Sequence, residues 1–268
     1  FGNAPYVFGA PGFLTSYTKA VRERILASTY TVVDAETTGL TPSAKPIAVG
    51  KQAQIGPART WSKYSEDARA AGAEPRLNCR VRMRIWSIQL DDSSRLSFDL
   101  DQLALADQVQ LLVDSIDRKI VIGHNLAFDF TWLVALTNRR DLAPALVLDT
   151  MLIARCIKPA SVYVLHRNAV GDATAQRIIR SLGTNASVSL GALSYAYGLG
   201  EAEKTWQHPR NWTVSPLCSG HYDYVLEDID APLQLLRIWT DTRGLPFSQT
   251  LEHLKIMDSR RGGSYFDI

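Results

Sequence analysis

Carboxylates at three separate places in the chain are the residues best suited to chemistry. Asp34 and Glu36 stand two apart in VVDAETTGL, at the end of a β-branched and aromatic run that predicts a strand. Side chains two apart lie on one face of a strand, and like charges held that close repel each other unless a cation lies between them. Taken alone, the motif is more simply interpreted as two solvated carboxylates at a strand end.

Two further polar pairs follow, each with a spacing of four residues. Asn125 and Asp129 lie in GHNLAFDF, across a predicted strand-to-helix turn, and Tyr224 and Asp228 lie in HYDYVLEDIDAPL. Residues four apart share one face of a helix. Taken alone, Asn125 is more simply an N-cap and Asp129 a first-turn acid that the helix dipole stabilises. The second pair, with His221, is equally compatible with the polar stripe of a half-buried helix.

Together the three segments supply four carboxylates in the order Asp, Glu, Asp, Asp. Oxygen ligands suit hard cations, so the set predicts a site for Mg²⁺ or Mn²⁺. Two such ions about 4 Å apart can activate a water and stabilise the leaving oxygen in phosphodiester hydrolysis. Four carboxylates in one pocket would be costly without metal, which favours this hypothesis. The predicted metal ligands are Asp34, Glu36, Asp129 and Asp228.

The elements that must position these residues alternate between strands and helices. Apolar residues recur at spacings of four, three and four from Leu105 to Ile116, which predicts an amphipathic helix, and DDS at 91–93 is a hairpin signal. This pattern predicts an α/β domain with a mixed sheet. Strands are predicted at 29–34, 82–90, 96–100, 120–122 and 147–149, and helices at 16–26, 105–116, 127–137, 150–157, 190–197 and 216–243.

Residues 41–84 depart from this pattern. They carry nine Lys or Arg against three acids, a local net charge of +6, together with several prolines and glycines. The segment is therefore predicted to be a basic, loop-rich insertion with one short helix near 62–71. A solvated surface loop is the preferred interpretation for most of it, and Arg59, Lys63 and Arg69 are the candidates for phosphate contact.

Composition restricts the class of protein. The chain has 268 residues, 46% hydrophobic and 21% charged, which fits one or two globular domains. Its apolar runs are shorter than the roughly 18 residues of a membrane helix, so a membrane-spanning protein is excluded. Cys79, Cys156 and Cys218 form no metal-binding spacing and are expected to be reduced, buried thiols. We expect an intracellular, cytoplasmic protein, with an organelle as the alternative. The start at Phe1 lacks a signal-peptide pattern and suggests processing or a fragment.

The motifs resemble those of a known family. VVDAETTGL, IGHNLAFDF and YVLEDIDAPLQLL, with DTMLIARC between the last two, are similar to the three motifs of the DEDD 3′→5′ exonucleases. The resemblance is closest to the proofreading domain of family A DNA polymerases and to their RNase D-like relatives. It implies an RNase H-like fold, a five-stranded mixed sheet flanked by helices. The implied domains are an N-terminal extension at 1–28, an exonuclease domain at 29–243 with the insertion at about 41–84, and a C-terminal extension at 244–268 that resembles the start of a polymerase module.

The resemblance also implies roles for the acidic residues and one tyrosine. One branch of the family has a His five residues before the last Asp, where this chain has Asp223, and the other has a Tyr four residues before it, where this chain has Tyr224. A phenol with a pKa of about 10 is a poor base at neutral pH, so the metal ions would activate the water and Tyr224 would aim it. Asp34, Glu36 and Asp228 would bind two metal ions directly, and Asp129 would act through water.

Substrate contacts are implied in the same way. Leu40 matches an apolar residue that wedges against the terminal base, and Thr37 matches a backbone contact to the terminal nucleotide. His124, Asn125 and Phe128 match the segment that lines the single-strand path, where aromatic stacking tolerates any base. Ordinary core packing is the alternative for Leu40 and Phe128.

The sequence therefore predicts a two-metal exonuclease that releases nucleoside 5′-monophosphates from single-stranded DNA 3′ ends, in proofreading or DNA repair. Alternatives are an RNase D-like RNA 3′ exonuclease and an inactive nucleic-acid-binding or structural domain of a polymerase. The predicted partners are single-stranded DNA 3′ ends, with RNA as the alternative, and a polymerase module in the same or another chain, but no membrane. Pro232 predicts a kink or a new helix near Ala231, and either keeps Tyr224 and Asp228 on one face.

Overall fold

The computed structural model describes residues 12–38, 74–75, 82–157, 188–199, 212, 214–215 and 217–241. A five-stranded mixed sheet in the order β3-β2-β1-β4-β5 is flanked by helices, which confirms the predicted α/β class. Strand β1 is antiparallel to β2 and parallel to β4, β2 is antiparallel to β3, and β4 is parallel to β5. The strands of this sheet are β1 (Tyr30–Thr37), β2 (Met83–Leu90), β3 (Arg95–Asp99), β4 (Ile120–Gly123) and β5 (Leu146–Asp149). Two short segments, Glu74–Pro75 and Val214–Ser215, pair with each other as a separate two-stranded antiparallel sheet.

The helices agree with the sequence periodicity, and every predicted boundary in the described residues lies within three residues of the observed one. The largest difference in a strand is in β1, which continues three residues past Asp34 and so includes Glu36. The helices are α1 (Lys19–Ala27), α2 (Leu105–Ile116), α3 (Leu126–Thr137), α4 (Thr150–Ile157), α5 (Leu190–Ala196) and α6 (Ser219–Asp241).

Strand β1 lies in the middle of the sheet and is covered on both faces. Its odd-numbered residues Val33 and Ala35 belong to one buried core cluster, which α1, α2 and α3 help to form. Its even-numbered residues Tyr30 and Val32 belong to a second cluster, which includes residues of α5 and α6. Because side chains alternate along a strand, the even-numbered acids of β1 lie on the face that α6 covers.

Helix α6 is continuous through Pro232, so the alternative of a new helix near Ala231 is wrong. The proline nitrogen carries no hydrogen, and the helical hydrogen bond to the carbonyl of Asp228 is therefore missing at this position. Burial of both Tyr224 and Asp228 on α6 agrees with the prediction that they share one face.

Two of the nine basic residues counted in the insertion are not available to phosphate. Arg84 lies in β2, is fully buried, and contacts Asp99 at 2.9 Å and Asp101. Arg82 also pairs with Asp101. The count of +6 includes these two arginines, but their charge is compensated by acids that lie later in the sequence. The predicted helix at 62–71 and the candidates Arg59, Lys63 and Arg69 lie outside the described residues.

The thiols differ from the expectation of burial. Cys156, on α4, is exposed, and Cys218, immediately before α6, is half-buried. Both are free cysteines. Cys79 lies outside the described residues. In the part of the chain that the structure describes, no helix is both long and apolar enough to cross a membrane.

Candidate functional site

Three of the four predicted acids converge at the end of β1. Asp34, Glu36 and Asp228 each offer a carboxylate oxygen, and these oxygens lie within 4.8 Å of one another. The first two side chains are half-buried and the third is buried. Period-two alternation places Asp34 and Glu36 on one face of β1, and α6 delivers Asp228 to that face.

The chemistry of this donor set fits a hard divalent cation. Carboxylates at such short separation repel one another in a partly buried site, and a cation between them would remove the repulsion. All three donors are oxygens, which Mg²⁺ and Mn²⁺ prefer over the nitrogen and sulfur ligands of softer metals. Asp34, Glu36 and Asp228 could therefore hold a metal ion.

Tyr224 lies one helical turn before Asp228 and is only 7% exposed. A side-chain hydrogen bond joins its hydroxyl to the Asp228 carboxylate. Burial, with the negative charges of Asp228, Glu36 and Asp34 adding to it, raises the pKa of Tyr224 well above its ordinary value. The hydroxyl therefore stays protonated at neutral pH and acts as a donor to the carboxylate, not as a base.

Asp129 occupies a different position from the other three acids. It is buried on α3, and its Oδ1 accepts a 2.8 Å hydrogen bond from the backbone N–H of Ala35, between Asp34 and Glu36. The pairing of β1 with β4 ends at Val32. The Asp129 carboxylate therefore accepts the hydrogen bond of a β1 backbone N–H, that of Ala35, beyond the end of this pairing. Burial and the charge of Asp34 raise the pKa of Asp129. Among the described residues, Asp129 is not part of the group whose oxygens lie within 4.8 Å.

The turn between β4 and α3 is tightly packed against β1. A Cβ on Gly123 would lie 3.0 Å from the backbone oxygen of Val33 and 2.4 Å from Cδ2 of Leu126, so only glycine fits without movement. Asn125 follows in the left-handed region, with φ 64° and ψ 44°, a conformation that Asn tolerates better than most residues. Asn125 stands at the N-cap position as predicted, but its exposed side chain makes no capping hydrogen bond to α3.

Asp149, which the sequence analysis did not select, supplies the missing cap. Its carboxylate accepts hydrogen bonds from the backbone N–H groups of Asn125 at 3.0 Å and Leu126 at 2.9 Å, at the start of α3. It also accepts from Met151 at 2.9 Å and Leu152 at 3.3 Å, at the start of α4. An Asp immediately before a predicted helix is an N-cap signal. That signal could have identified the role of Asp149 at the start of α4 but not its role at the start of α3.

The residues predicted to contact substrate differ in their burial and in their neighbours. His124 is half-buried, and its Nδ1 lies 2.9 Å from the hydroxyl of Thr150, which is itself 3.0 Å from the carbonyl oxygen of Gly123. That carbonyl can only accept, so Thr150 donates to it and His124 donates through Nδ1–H. Its other ring nitrogen is then the one without a proton in the neutral imidazole.

Phe128 is half-buried at the margin of the core, with its ring centroid 6.4 Å from that of Trp132. Its position agrees with the core-packing alternative. Thr37 is buried at an irregularity in the pairing of β1 with β2. Leu40 lies outside the described residues, so its role stays a prediction.

Substitution of Asp149 by Asn is expected to lower the free energy of unfolding by about 1–3 kcal/mol, because an amide group would face several backbone donors with only one acceptor oxygen. Denaturant unfolding measures this change. Asp141→Asn, an exposed acid paired with Arg139, is the control and should change stability by less than about 0.5 kcal/mol. Equal stability of the two variants would contradict the capping role.

Comparison of the chain with family models and with curated proteins assigns it no family. No protein-family model matches the chain, and a search of curated proteins returns no significant match. Any inference about function therefore depends on the motifs and on the arrangement of the side chains.

Proposed function

We propose that the chain is a metal-dependent 3′→5′ exonuclease that hydrolyses phosphodiester bonds at single-stranded DNA 3′ ends and releases nucleoside 5′-monophosphates. The observation that carries the proposal is the convergence of Asp34, Glu36 and Asp228, which are distant in sequence, with their oxygens within 4.8 Å. The proposed fold is RNase H-like, and the mixed sheet with an antiparallel β2 beside the central β1 is compatible with it.

Asp34, Glu36 and Asp228 would hold Mg²⁺ or Mn²⁺ in this proposal. A bound metal ion would supply activation of the attacking water and stabilisation of the leaving oxygen. Asp129 contributes by fixing the backbone between Asp34 and Glu36, through the hydrogen bond from Ala35 N–H. Rigid support of this kind keeps two ligands at a constant separation.

Tyr224 contributes a protonated hydroxyl beside Asp228. Because the phenol is not ionised at neutral pH, it would orient the attacking water through hydrogen bonding and would not remove a proton from it. Its position one turn from Asp228 keeps this hydroxyl next to one of the proposed metal ligands.

A 5′-labelled single-stranded DNA oligonucleotide, incubated with Mg²⁺, Mn²⁺ or EDTA, tests the proposal. A ladder that shortens stepwise with metal and stays intact in EDTA is expected, with release of nucleoside 5′-monophosphates. Early release of the label as a mononucleotide would indicate the opposite polarity. Cleavage of only a matched RNA would favour the RNase D-like alternative. Binding without turnover on either substrate would reject the catalytic proposal and favour an inactive nucleic-acid-binding domain.

Tyr224→Phe is expected to lower kcat by about 10- to 100-fold, because it removes the orienting hydroxyl and keeps the ring. Tyr222→Phe is the matched control, since Tyr222 lies on the same helix and packs edge-on against Phe13 with centroids 5.5 Å apart. Single-turnover cleavage of DNA measures both. A full rate in Tyr224→Phe would exclude a role for the hydroxyl.

The pH dependence adds a second measurement on the same variant. The pKa of Tyr224 in the folded state is raised, so the phenol stays protonated in the fold even where an unfolded chain would ionise it, near pH 10. The stability that this group contributes is therefore complete below about pH 10 and decreases above it. Between about pH 6 and pH 9 the rate profiles of the wild type and Tyr224→Phe should have the same shape.

A further inference from the structure

Trp212 packs against the tyrosine of the candidate site. It is fully buried, with 0% exposure, although it lies in a sequence segment rich in Pro and Asn. Its ring centroid is 6.0 Å from that of Tyr224, with an angle of 49° between the planes, and 5.2 Å from that of His221. The indole is therefore in van der Waals range of two side chains on the first turns of α6.

The neighbours of Trp212 connect α6 to the strand beside the acids. Ile85, Trp212, Tyr224 and Val225 form a buried cluster that is separate from the two larger ones. Ile85 is the cross-strand partner of Glu36 in the pairing of β1 with β2. The cluster that contains the Tyr224 ring is thus built from residues of α6 and β2, and Trp212 contributes to it from a third segment of the chain.

His221 gives Trp212 a fixed surface to pack on. His221 is fully buried, and its Nδ1 accepts a 3.1 Å hydrogen bond from the backbone N–H of Cys218. This bond joins the start of α6 to a side chain three residues later, as a capping-box residue does. The imidazole is therefore held in place, and the indole packs between it and the phenol.

Within the described residues, the side chain of Trp212 is held by packing. Among the described residues, its indole N–H is buried and has no hydrogen-bond partner. Phe would avoid the cost of burying that donor, so the volume of the indole is the property that the site uses. This difference makes Trp212→Phe an informative change, because it removes ring volume without breaking a hydrogen bond.

We propose that Trp212 is a positioning residue for Tyr224: its indole fixes the tyrosine ring so that the hydroxyl stays on the Asp228 carboxylate. The catalytic consequence rests on the proposed exonuclease function, whereas the ring contact can be tested without any activity. The effect on the reaction would be indirect, since Trp212 acts through Tyr224.

Kinetics of Trp212→Phe and Trp212→Leu on single-stranded DNA with Mg²⁺ test the catalytic part. We expect kcat to fall by about tenfold with little change in KM, because a displaced hydroxyl affects the reaction more than binding. The double variant Trp212→Phe/Tyr224→Phe should be no slower than Tyr224→Phe alone, since both changes remove the same contribution. Independent, multiplicative losses in kcat would overturn the proposal.

Trp132→Phe is the matched control. Trp132 is buried on α3, and its indole N–H also lacks a hydrogen-bond partner among the residues that the structure describes. Trp132 and Tyr224 belong to different clusters. The fold-changes in kcat caused by Trp132→Phe and Tyr224→Phe should therefore multiply in the double variant, whatever the size of the Trp132→Phe effect. Coupling of Trp132 to Tyr224 as strong as that of Trp212 would overturn a specific role for Trp212.

NMR of the protein with ¹³C-labelled tyrosine rings gives a readout that needs no nuclease activity. Signals of Tyr224 are assigned by their loss in Tyr224→Phe, and Trp212→Leu should shift them and speed the ring flip. Trp212→Phe serves if the leucine variant does not fold. Unchanged Tyr224 signals would overturn the proposal. If the substitution changes the Tyr224 signals but the wild-type protein has no nuclease activity, the ring contact would be supported and the exonuclease function rejected.

Discussion

Asp34→Asn is expected to remove metal-dependent cleavage, with a loss of at least about 10³-fold in kcat, while it stabilises the metal-free protein. The amide is nearly the same size as the carboxylate but weakens a metal site that needs charged oxygens. In EDTA the same change removes one of three negative charges whose oxygens lie within 4.8 Å. Relief of that repulsion should raise the free energy of unfolding by about 1 kcal/mol.

Thermal unfolding in EDTA and in increasing Mg²⁺ or Mn²⁺ measures the second half of this prediction. The wild-type Tm should rise with metal, by a stabilisation of about 2.7 kcal/mol at a hundredfold excess over Kd. Asp34→Asn should start from a higher Tm in EDTA and respond weakly to metal. Asp223→Asn removes an exposed acid from α6, next to Tyr224, and should retain the wild-type response. A full metal response in Asp34→Asn would place the cation elsewhere.

Arg84→Met is expected to have the largest effect on stability, a loss of about 3–5 kcal/mol in the free energy of unfolding. Arg84 is buried in β2, between the carboxylates of Asp99 and Asp101. Its removal would leave Asp99, which has little access to water, without this compensating cation, while Asp101 would keep its ion pair with Arg82. The penalty comes from the remaining charges more than from the lost contact.

Urea unfolding of Arg84→Met and Arg82→Met measures this difference. Arg82 shares Asp101 with Arg84, but its side chain is more exposed, so its loss should cost only about 1 kcal/mol. Adding Asp99→Asn to Arg84→Met should recover part of the stability, because one uncompensated charge is then removed. Similar costs for the two arginines would contradict a larger role for the buried Arg84 than for Arg82.

The parts of the site that follow from local sequence rules were predictable. Asp34 and Glu36 share a face because a strand alternates, and Tyr224 and Asp228 share a face because they are four apart on a helix. The approach of Asp228 to β1 depends on long-range packing of α6, and only the similarity of the motifs suggested it. The hydrogen bond from Ala35 to Asp129 could not be predicted, because it depends on where β4 stops.

The other differences between the sequence prediction and the structure arise from tertiary contacts between residues that are distant in sequence. Counting charges placed Arg82 and Arg84 in a basic loop, since the acids that neutralise them lie after the hairpin. Trp212 follows no helical or strand period, so nothing in its neighbourhood predicted complete burial. The sequence contains a recognisable capping signal for Asp149 at the start of α4. Its contacts with the turn before α3 depend on the register of β4 and β5.

The carboxylate of Asp149 has a consequence for local opening of the fold. One side chain accepts hydrogen bonds from the first turns of two helices, at Asn125 and Leu126 and at Met151 and Leu152. Fraying of either helix end would disturb the acceptor that holds the other, so we expect the two ends to exchange their amide hydrogens as one cooperative unit. We therefore expect the segment that presents Asn125 and Asp129 not to unfold independently of α4, although Asn125 and Asp149 are 24 positions apart in the sequence.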